Sequence, residues 1–204
     1  MSETSVGKLI VRHIEELEAA LRFVRGSMSQ SLGNAVADLV DDRRRALDWD
    51  GEVNRDLNEG IWFAPSEWRT ANDDEENYDL YVEFEETDCL DGEEAETWIG
   101  AFCGFAGAGI RLRLKTNALG QREWKTLLRT ETKLIDQLVE GGFSCDPKKG
   151  ELAALISIEK DKLAEAFADE EFDEALQPVG WAIDRIAKHQ ATFDQLVSAI
   201  RIKR

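Results

Sequence analysis

Between Thr70 and Ile110 the chain contains thirteen carboxylates and neither lysine nor arginine. They are Asp73, Asp74, Glu75, Glu76, Asp79, Glu83, Glu85, Glu86, Asp88, Asp91, Glu93, Glu94 and Glu96. The formal net charge of the whole chain is −17, so this segment dominates it. Because like charges at this density repel one another, the fold must place them against solvent, a cation or a basic partner.

Composition predicts a folded globular protein. The chain has 204 residues, of which 43% are hydrophobic, with six Trp and nine Phe. A sequence pI near 4.5 disfavours binding to nucleic acid or to an anionic membrane, since both need an excess of Lys and Arg. We expect neither a membrane span nor a secretory signal. The three widely spaced cysteines are typical of reduced thiols, which predicts a cytoplasmic protein.

Two helices are predicted before residue 48. Residues 8–25 have an apolar seam at alternating spacings of four and three, which is typical of an amphipathic helix. The seam consists of Ile10, Ile14, Leu17, Leu21 and Val24. Gly26 is expected to end this helix, and a capping box at Ser27 begins a second one that runs to about Leu47. Asp48–Gly51 has the composition of a turn.

The middle of the chain is predicted to be an antiparallel sheet. Ile61–Ala64 is predicted to form a short strand, and Thr97–Phe105 is predicted to form a mostly apolar strand. Residues 79–86 and 110–115 alternate apolar with charged side chains, the period of a strand with one exposed face. We therefore expect a meander of three or four strands.

The C-terminal part is predicted to be helical. Gln121–Glu140 has one apolar face and is expected to cover the sheet. A further strand is predicted near 151–158, followed by helices at Lys160–Ala168, Glu170–Leu176 and Pro178–Ile202. The last helix has a seam like that of the first, so the two ends of the chain are expected to pack together. The fold class is thus α+β in a single domain, 1–204, helical at 1–48, with the sheet at 60–116 and helices at 121–204.

The acidic segment is predicted to bind a partner. Glu83 and Glu85 would lie on one face of a strand about 7 Å apart. The acids at 73–76 and 88–96 would flank that strand as loops. Together with Trp62 and Trp68 as aromatic anchors, all thirteen carboxylates form the candidate partner-binding surface.

Internal neutralisation is the competing interpretation. Arg111, Arg113 and Lys115 share one face of the last strand, and a basic stripe follows on the next helix. Residues 111–133 contain seven bases and two acids, so this region leaves eight of the thirteen carboxylates unmatched. A solvated acidic face without a special function is equally compatible with these charges. Metal binding is a third alternative, but neither Asp48–Gly51 nor Thr87–Gly92 has the ligand spacing of a calcium loop.

No catalytic residue, metal ligand or cofactor site is predicted. The chain has only two histidines, His13 and His189, both between apolar positions of predicted helices. Cys145 is the better thiol candidate, because Cys103 lies in an apolar segment. The glycine-rich segment 104–109 lacks the Lys and Ser/Thr of a phosphate-binding loop, and a strand is predicted to follow it.

The leading functional hypothesis is a non-enzymatic, acidic interaction protein. It would dock on the basic surface of a nucleic-acid-processing, defence or toxin complex, in place of nucleic acid, and inhibit or regulate it. One alternative is a structural subunit that forms homo-oligomers through its terminal helices. The other is an enzyme that uses carboxylates and a metal ion.

Overall fold

The computed structural model describes residues 3–70, 77–88 and 95–204. The α-helices are α1 (Glu3–Arg12), α2 (Ile14–Phe23), α3 (Ser29–Ala46), α4 (Trp98–Phe102), α5 (Gln121–Thr130), α6 (Thr132–Glu140), α7 (Lys160–Asp169), α8 (Asp173–Lys188) and α9 (Gln190–Lys203). The strands are β1 (Trp49–Val53), β2 (Ile61–Pro65), β3 (Tyr81–Glu86), β4 (Ile110–Lys115), β5 (Ser144–Asp146) and β6 (Glu151–Ile156).

The strands form one antiparallel sheet in the order β1-β2-β3-β4-β6-β5. The α+β class with an antiparallel sheet is confirmed, but the predicted number of three or four strands is wrong. The two strands that were not predicted, β1 and β5, form the two edges of the sheet. The predicted turn at Asp48–Gly51 is wrong, because β1 begins at Trp49 and places Gly51 directly opposite Phe63. Strand β5 has only three residues, too few to show an alternating pattern.

The two faces of the sheet have different chemistry. Apolar side chains of β2, β3, β4 and β6 point to one face and are fully or almost fully buried, including Phe63, Val82, Leu112 and Ala154. The alternate residues of the same strands form the other face, which is mostly polar. This polar face is the part of the fold that positions the candidate site.

Helices α3 and α8 cover the apolar face of the sheet. They contact each other, and they contact β1 and β6 respectively. Leu32, Val36 and Val40 of α3 are fully buried. The prediction of a single covering helix at Gln121–Glu140 is wrong. The segment forms two helices, α5 and α6, with non-helical backbone at Glu131, and α6 contacts α9 and the edge strand β5.

The predicted strand at Thr97–Phe105 is also wrong. The segment forms α4, because the Thr97 side chain accepts a hydrogen bond from the Gly100 amide and caps the helix. A short apolar run does not distinguish a buried strand from a buried helix by its periodicity. The helices after residue 170 are divided differently too, since α8 begins at Asp173 and continues through Pro178.

The two ends of the chain do not pack together as predicted. Phe193, Val197 and Ile200 of α9 are buried in the protein's own core. The N-terminal helices α1 and α2, residues 3–23, are named the N-terminal arm; none of residues 5–23 is buried. Gly26 does not end a helix, because a π-helical turn at Val24–Met28 leads directly into α3.

Candidate functional site

The two central glutamates of β3 are neutralised by the neighbouring strand. Glu83 and Glu85 lie on the polar face, opposite Arg113 and Arg111 of β4. The Lys115 ammonium lies 2.5 Å from a Glu83 oxygen and 2.6 Å from a Glu85 oxygen. Arg111 donates two hydrogen bonds to the other Glu85 oxygen, at 3.2 and 3.0 Å. These carboxylates therefore do not form a free negative surface.

The pKa values of this cluster reflect the pairing. Burial alone would raise the pKa of Glu85, but the hydrogen bond from Lys115 and the charges of Lys115, Arg113 and Arg111 lower it overall. Burial would lower the pKa of Lys115, whereas its hydrogen bonds to Glu83 and Glu85 raise it overall. Both groups are thus held in their charged forms near neutral pH.

Asp79 is not on the surface at all. It is only 1% exposed, accepts a hydrogen bond of 2.7 Å from Arg201 of α9 and a second of 3.0 Å from the Thr70 hydroxyl. Arg201 also donates to the backbone carbonyls of Glu67 and Arg69. Asp79 and Arg201 therefore hold the C-terminal helix against residues 67–70. Because Asp79 is buried, it is not part of a surface that a partner could bind, contrary to our expectation.

The remaining predicted carboxylates differ in their surroundings. Glu96 forms an exposed ion pair of 2.9 Å with Arg25. Glu86 is half-buried, and burial raises its pKa. Asp88 is exposed. The other predicted acids lie outside the described residues: Asp73, Asp74, Glu75, Glu76, Asp91, Glu93 and Glu94.

The two predicted tryptophan anchors differ as well. Trp68 is 1% exposed, packs against Phe193 and donates its indole N–H to Asp194 at 2.8 Å, so it is a core residue and not an anchor. Trp62 is half-buried on the polar face of β2. Of the two, only Trp62 has a ring that a partner can reach.

Trp62 lies in a pocket of about 350 Å³ at the junction of β1, β2 and β3. We name it the aromatic pocket, and its lining residues are Glu52, Asn54, Glu59, Gly60, Ile61, Trp62, Tyr78, Tyr81, Glu83 and Asn117. The Trp62 ring centroid is 5.2 Å from that of Tyr78 and 6.4 Å from that of Tyr81. Three aromatic rings thus meet on one side of this pocket.

Carboxylates form the other side of the aromatic pocket. Glu52 and Glu59 are exposed, and neither has an ion-pair partner among the described Lys, Arg and His side chains. The Asn54 amide donates to the backbone carbonyls of Glu59 and Gly60, at 3.2 and 3.0 Å, and so fixes the loop that carries Glu59. Aromatic faces next to unpaired carboxylates attract organic cations.

The same region already holds one cation against a ring. The Arg69 guanidinium carbon lies 5.7 Å from the Tyr78 ring centroid, and Arg69 also contacts Asp50 at 3.3 Å. The Tyr78 hydroxyl donates to Asp50 at 2.8 Å. Burial and then the hydrogen bond to Asp50 raise the pKa of Tyr78, and burial raises the pKa of Tyr81. Both tyrosines remain neutral at physiological pH and keep electron-rich rings.

Sequence reasoning found only Trp62 and Glu83 of this pocket. Tyr81 could have been included, since its alternation with Glu83 and Glu85 places all three on one face. Glu52 and Glu59 could not have been predicted as part of the pocket. Their position depends on β1 and on the loop before β2, and the sequence pattern indicates neither.

The described residues offer little for catalysis. His189 packs edge-on against Phe143, and His13 lies exposed on the N-terminal arm. Burial raises the pKa of Cys145 to about 11, so its thiol is protonated and unreactive at neutral pH. No group of three or more His, Cys, Asp or Glu side chains suited to hold a metal ion occurs within the described ranges.

A larger groove of about 970 Å³ lies on the other side of the loop at 55–60. Half-buried Glu86 and the Arg25–Glu96 pair line it, together with Trp98, whose indole donates to Asn58 at 3.2 Å. Five acids and two arginines line it. Both arginines form ion pairs, and the bases of β4 offset Glu83 and Glu85, so little unpaired charge is left to select a ligand.

Comparison with protein-family models, with curated proteins and with solved structures finds no match for this chain. Among the described helices, none combines the length and the apolar character that crossing a membrane requires. A function must therefore be argued from the site itself.

Proposed function

We propose that this protein is a non-enzymatic interaction protein that binds a basic protein surface, with the aromatic pocket as the anchor point. A lysine or arginine side chain of the partner would enter the pocket, its cation lying against the Trp62 and Tyr81 rings and facing Glu52 and Glu59. The observation that carries this proposal is the meeting of three aromatic rings with carboxylates that no described base neutralises.

Charge and geometry have separate roles in this proposal. The net charge of −17 would attract a basic partner over a distance and raise the association rate. The affinity would come mainly from the anchor, because cation–π contacts contribute about 0.5–2 kcal/mol, depending on desolvation. Glu83 and Glu85 contribute less, since the bases of β4 already offset them.

The chemistry of the surface supports one kind of partner. Proteins that bind nucleic acid carry dense basic surfaces with exposed arginines, so a component of a nucleic-acid-processing, defence or toxin complex would fit. By occupying such a surface, the protein would inhibit or regulate its partner in the cytoplasm.

A nona-arginine peptide is a suitable first probe, titrated by isothermal calorimetry. We expect Trp62→Leu to weaken binding by roughly tenfold, from the loss of the cation–π contact. Trp181→Leu is the matched control, since Trp181 is a 55% exposed tryptophan on α8, away from the pocket. Equal affinities of the two variants would reject the pocket as the anchor.

A charge variant tests the acidic side of the pocket. Glu52→Gln combined with Glu59→Gln should weaken peptide binding and reduce its salt dependence. Glu140→Gln with Glu165→Gln removes the same charge from exposed positions on α6 and α7. If both pairs of substitutions weaken binding equally, the attraction is general charge and the proposed site is wrong.

A structural or assembly role remains the second candidate function. The exposed N-terminal arm favours it, although the C-terminal seam, which is buried within the protein, does not take part. For the metal-dependent enzyme, no described cluster of side chains provides support.

A further inference from the structure

Arg69 shows how this protein binds a guanidinium group on its surface. Its guanidinium carbon lies 5.7 Å from the centroid of the Tyr78 ring. One terminal nitrogen lies 3.2 Å from the Tyr78 hydroxyl and 3.3 Å from an Asp50 carboxylate oxygen. A single arginine side chain thus contacts an aromatic residue and a carboxylate at the same time. The guanidinium group suits both contacts, because it is planar, stacks on rings and has several N–H donors in its plane.

Trp62 and Glu52 offer the same pair of groups in the aromatic pocket. Glu52 of β1 is directly opposite Trp62 of β2 in the sheet register, so the two side chains project from one face as neighbours. No described lysine, arginine or histidine pairs with Glu52. Within the described part of the chain, the pocket thus repeats the ring and carboxylate that hold Arg69, but with the carboxylate still unpaired.

The carboxylate on the other side of Trp62 is already occupied. Glu83 of β3 is opposite Trp62 in the register. The Lys115 ammonium lies 2.5 Å from Glu83 and 2.6 Å from Glu85, so this lysine is held between two carboxylates. The carboxylate that remains free directly beside Trp62 is therefore Glu52, on the β1 side of the ring.

Hydration favours arginine over lysine at such a site. The Trp62 side chain is half-buried, so a cation that reaches its ring must lose part of its water shell. A lysine ammonium is a strongly hydrated point charge, whereas a guanidinium is weakly hydrated and can stack on a ring while it donates to a carboxylate. A trimethylated lysine would also contact the ring, but its quaternary nitrogen has no N–H to donate to Glu52.

We propose that the aromatic pocket selects arginine, so that the partner's anchor is an exposed arginine and not a lysine. The guanidinium would lie against the Trp62 ring and donate to Glu52, as Arg69 does with Tyr78 and Asp50. This inference rests on the proposed function, because it specifies which residue of the partner enters the same pocket. A surface that is basic through lysine alone would be attracted by the net charge but would lack the anchor.

Three peptides of equal length and charge test this selection. One is nona-lysine, and the other two carry a single arginine or a single trimethyl-lysine at the central position. Because the positive charge is the same in all three, the long-range attraction to the acidic protein is also the same. In isothermal calorimetry at one salt concentration, we expect the arginine peptide to bind the unchanged chain roughly five- to tenfold more tightly than the other two.

Variants of the protein show whether this preference comes from the pocket. Trp181→Leu changes an exposed tryptophan on α8 and should keep the preference. Trp62→Leu should bind the three peptides equally, because the ring is lost. Glu52→Gln changes an exposed side chain, keeps the ring and should reduce the preference. This second variant tests the pocket even if replacement of Trp62 disturbs the sheet.

The selection of arginine and the proposed function fail in different ways. If the three peptides bind the unchanged chain equally and Trp62→Leu weakens all of them, the pocket anchors any cation and the selection is wrong. The selection is also wrong if the trimethyl-lysine peptide binds as tightly as the arginine peptide, or if the preference persists in Trp62→Leu. If Trp62→Leu and Trp181→Leu bind nona-arginine equally, the proposed function itself is wrong.

Discussion

The ion pair between Asp79 and Arg201 should respond very differently to the loss of either partner. Asp79 is 1% exposed, whereas the Arg201 side chain is 44% exposed. Replacing Arg201 leaves a buried carboxylate whose remaining partners among the described side chains are the Thr70 hydroxyl at 3.0 Å and the more distant Arg204 guanidinium at 3.9 Å. Replacing Asp79 leaves a guanidinium that can turn to solvent and can still donate to two backbone carbonyls.

The expected costs follow from this asymmetry. Arg201→Met strands a buried charge, which reduces the free energy of unfolding by about 3–5 kcal/mol. Asp79→Asn keeps the size and the hydrogen-bonding geometry and removes only the charge, so the expected cost is about 1–2 kcal/mol. The double variant should be more stable than Arg201→Met alone, because no carboxylate is left unpaired.

Urea denaturation followed by circular dichroism measures these differences. For a protein of this size, with a slope of about 2–3 kcal/mol per molar urea, Arg201→Met should lower the midpoint by about 1–2.5 M. Asp79→Asn should lower it by about 0.3–1 M. If Asp79→Asn costs as much as Arg201→Met, or if the double variant is the least stable of the three, the buried carboxylate is not the energetic centre of this contact.

Three further predictions concern other parts of the fold. Gly33→Ala should destabilise the protein by about 1–3 kcal/mol, because its Cβ would lie 2.1 Å from the Arg55 carbonyl oxygen. At Gly26 an added Cβ meets nothing within 4 Å, so Gly26→Ala should be neutral or slightly stabilising. Thermal unfolding of the two variants measures both changes. Glu85→Gln should cost about 2 kcal/mol near neutral pH. The folded pKa of Glu85 is lowered, so the stability contributed by its charge is present above the ordinary glutamate pKa and is lost as pH falls through the folded value. Plots of stability against pH for the unchanged chain and for Glu85→Gln should therefore converge in acid, and parallel plots would contradict this. Cys145 should react with iodoacetamide at pH 8 about a hundredfold more slowly in the folded protein than in urea, as measured by peptide mass mapping, and equal rates would contradict its raised pKa.

The sequence predicted the centre of the sheet well and its edges poorly. Strands β3 and β4 were evident because their apolar and charged residues alternate over six positions each. Strand β1 could not be predicted in this way, because its Asp-Trp-Asp-Gly segment has the composition of a turn and becomes a strand only by pairing with β2. Local composition cannot report such tertiary pairing.

The charged residues show the same limit. The spacing of Arg111, Arg113 and Lys115 predicts that they share one face of a strand. Once β3 and β4 are paired, this face lies beside Glu83 and Glu85. The burial of Asp79 could not be predicted from the sequence, because its partner Arg201 lies 122 residues further along the chain. A run of acids in a sequence therefore does not show which of its members reach the surface.

The order of the strands has a consequence for how the chain acquires its structure. In the described sheet, β4 and β6 are the only neighbours that do not follow each other directly in the chain. The other pairs join strands that follow each other directly in the chain, with 4 to 23 residues between them, so loop-closure entropy opposes their pairing less than that of β4 with β6. We expect the sheet to assemble early and quickly, and the docking of α9 through Trp68 and Asp79 to be the late step that completes the core.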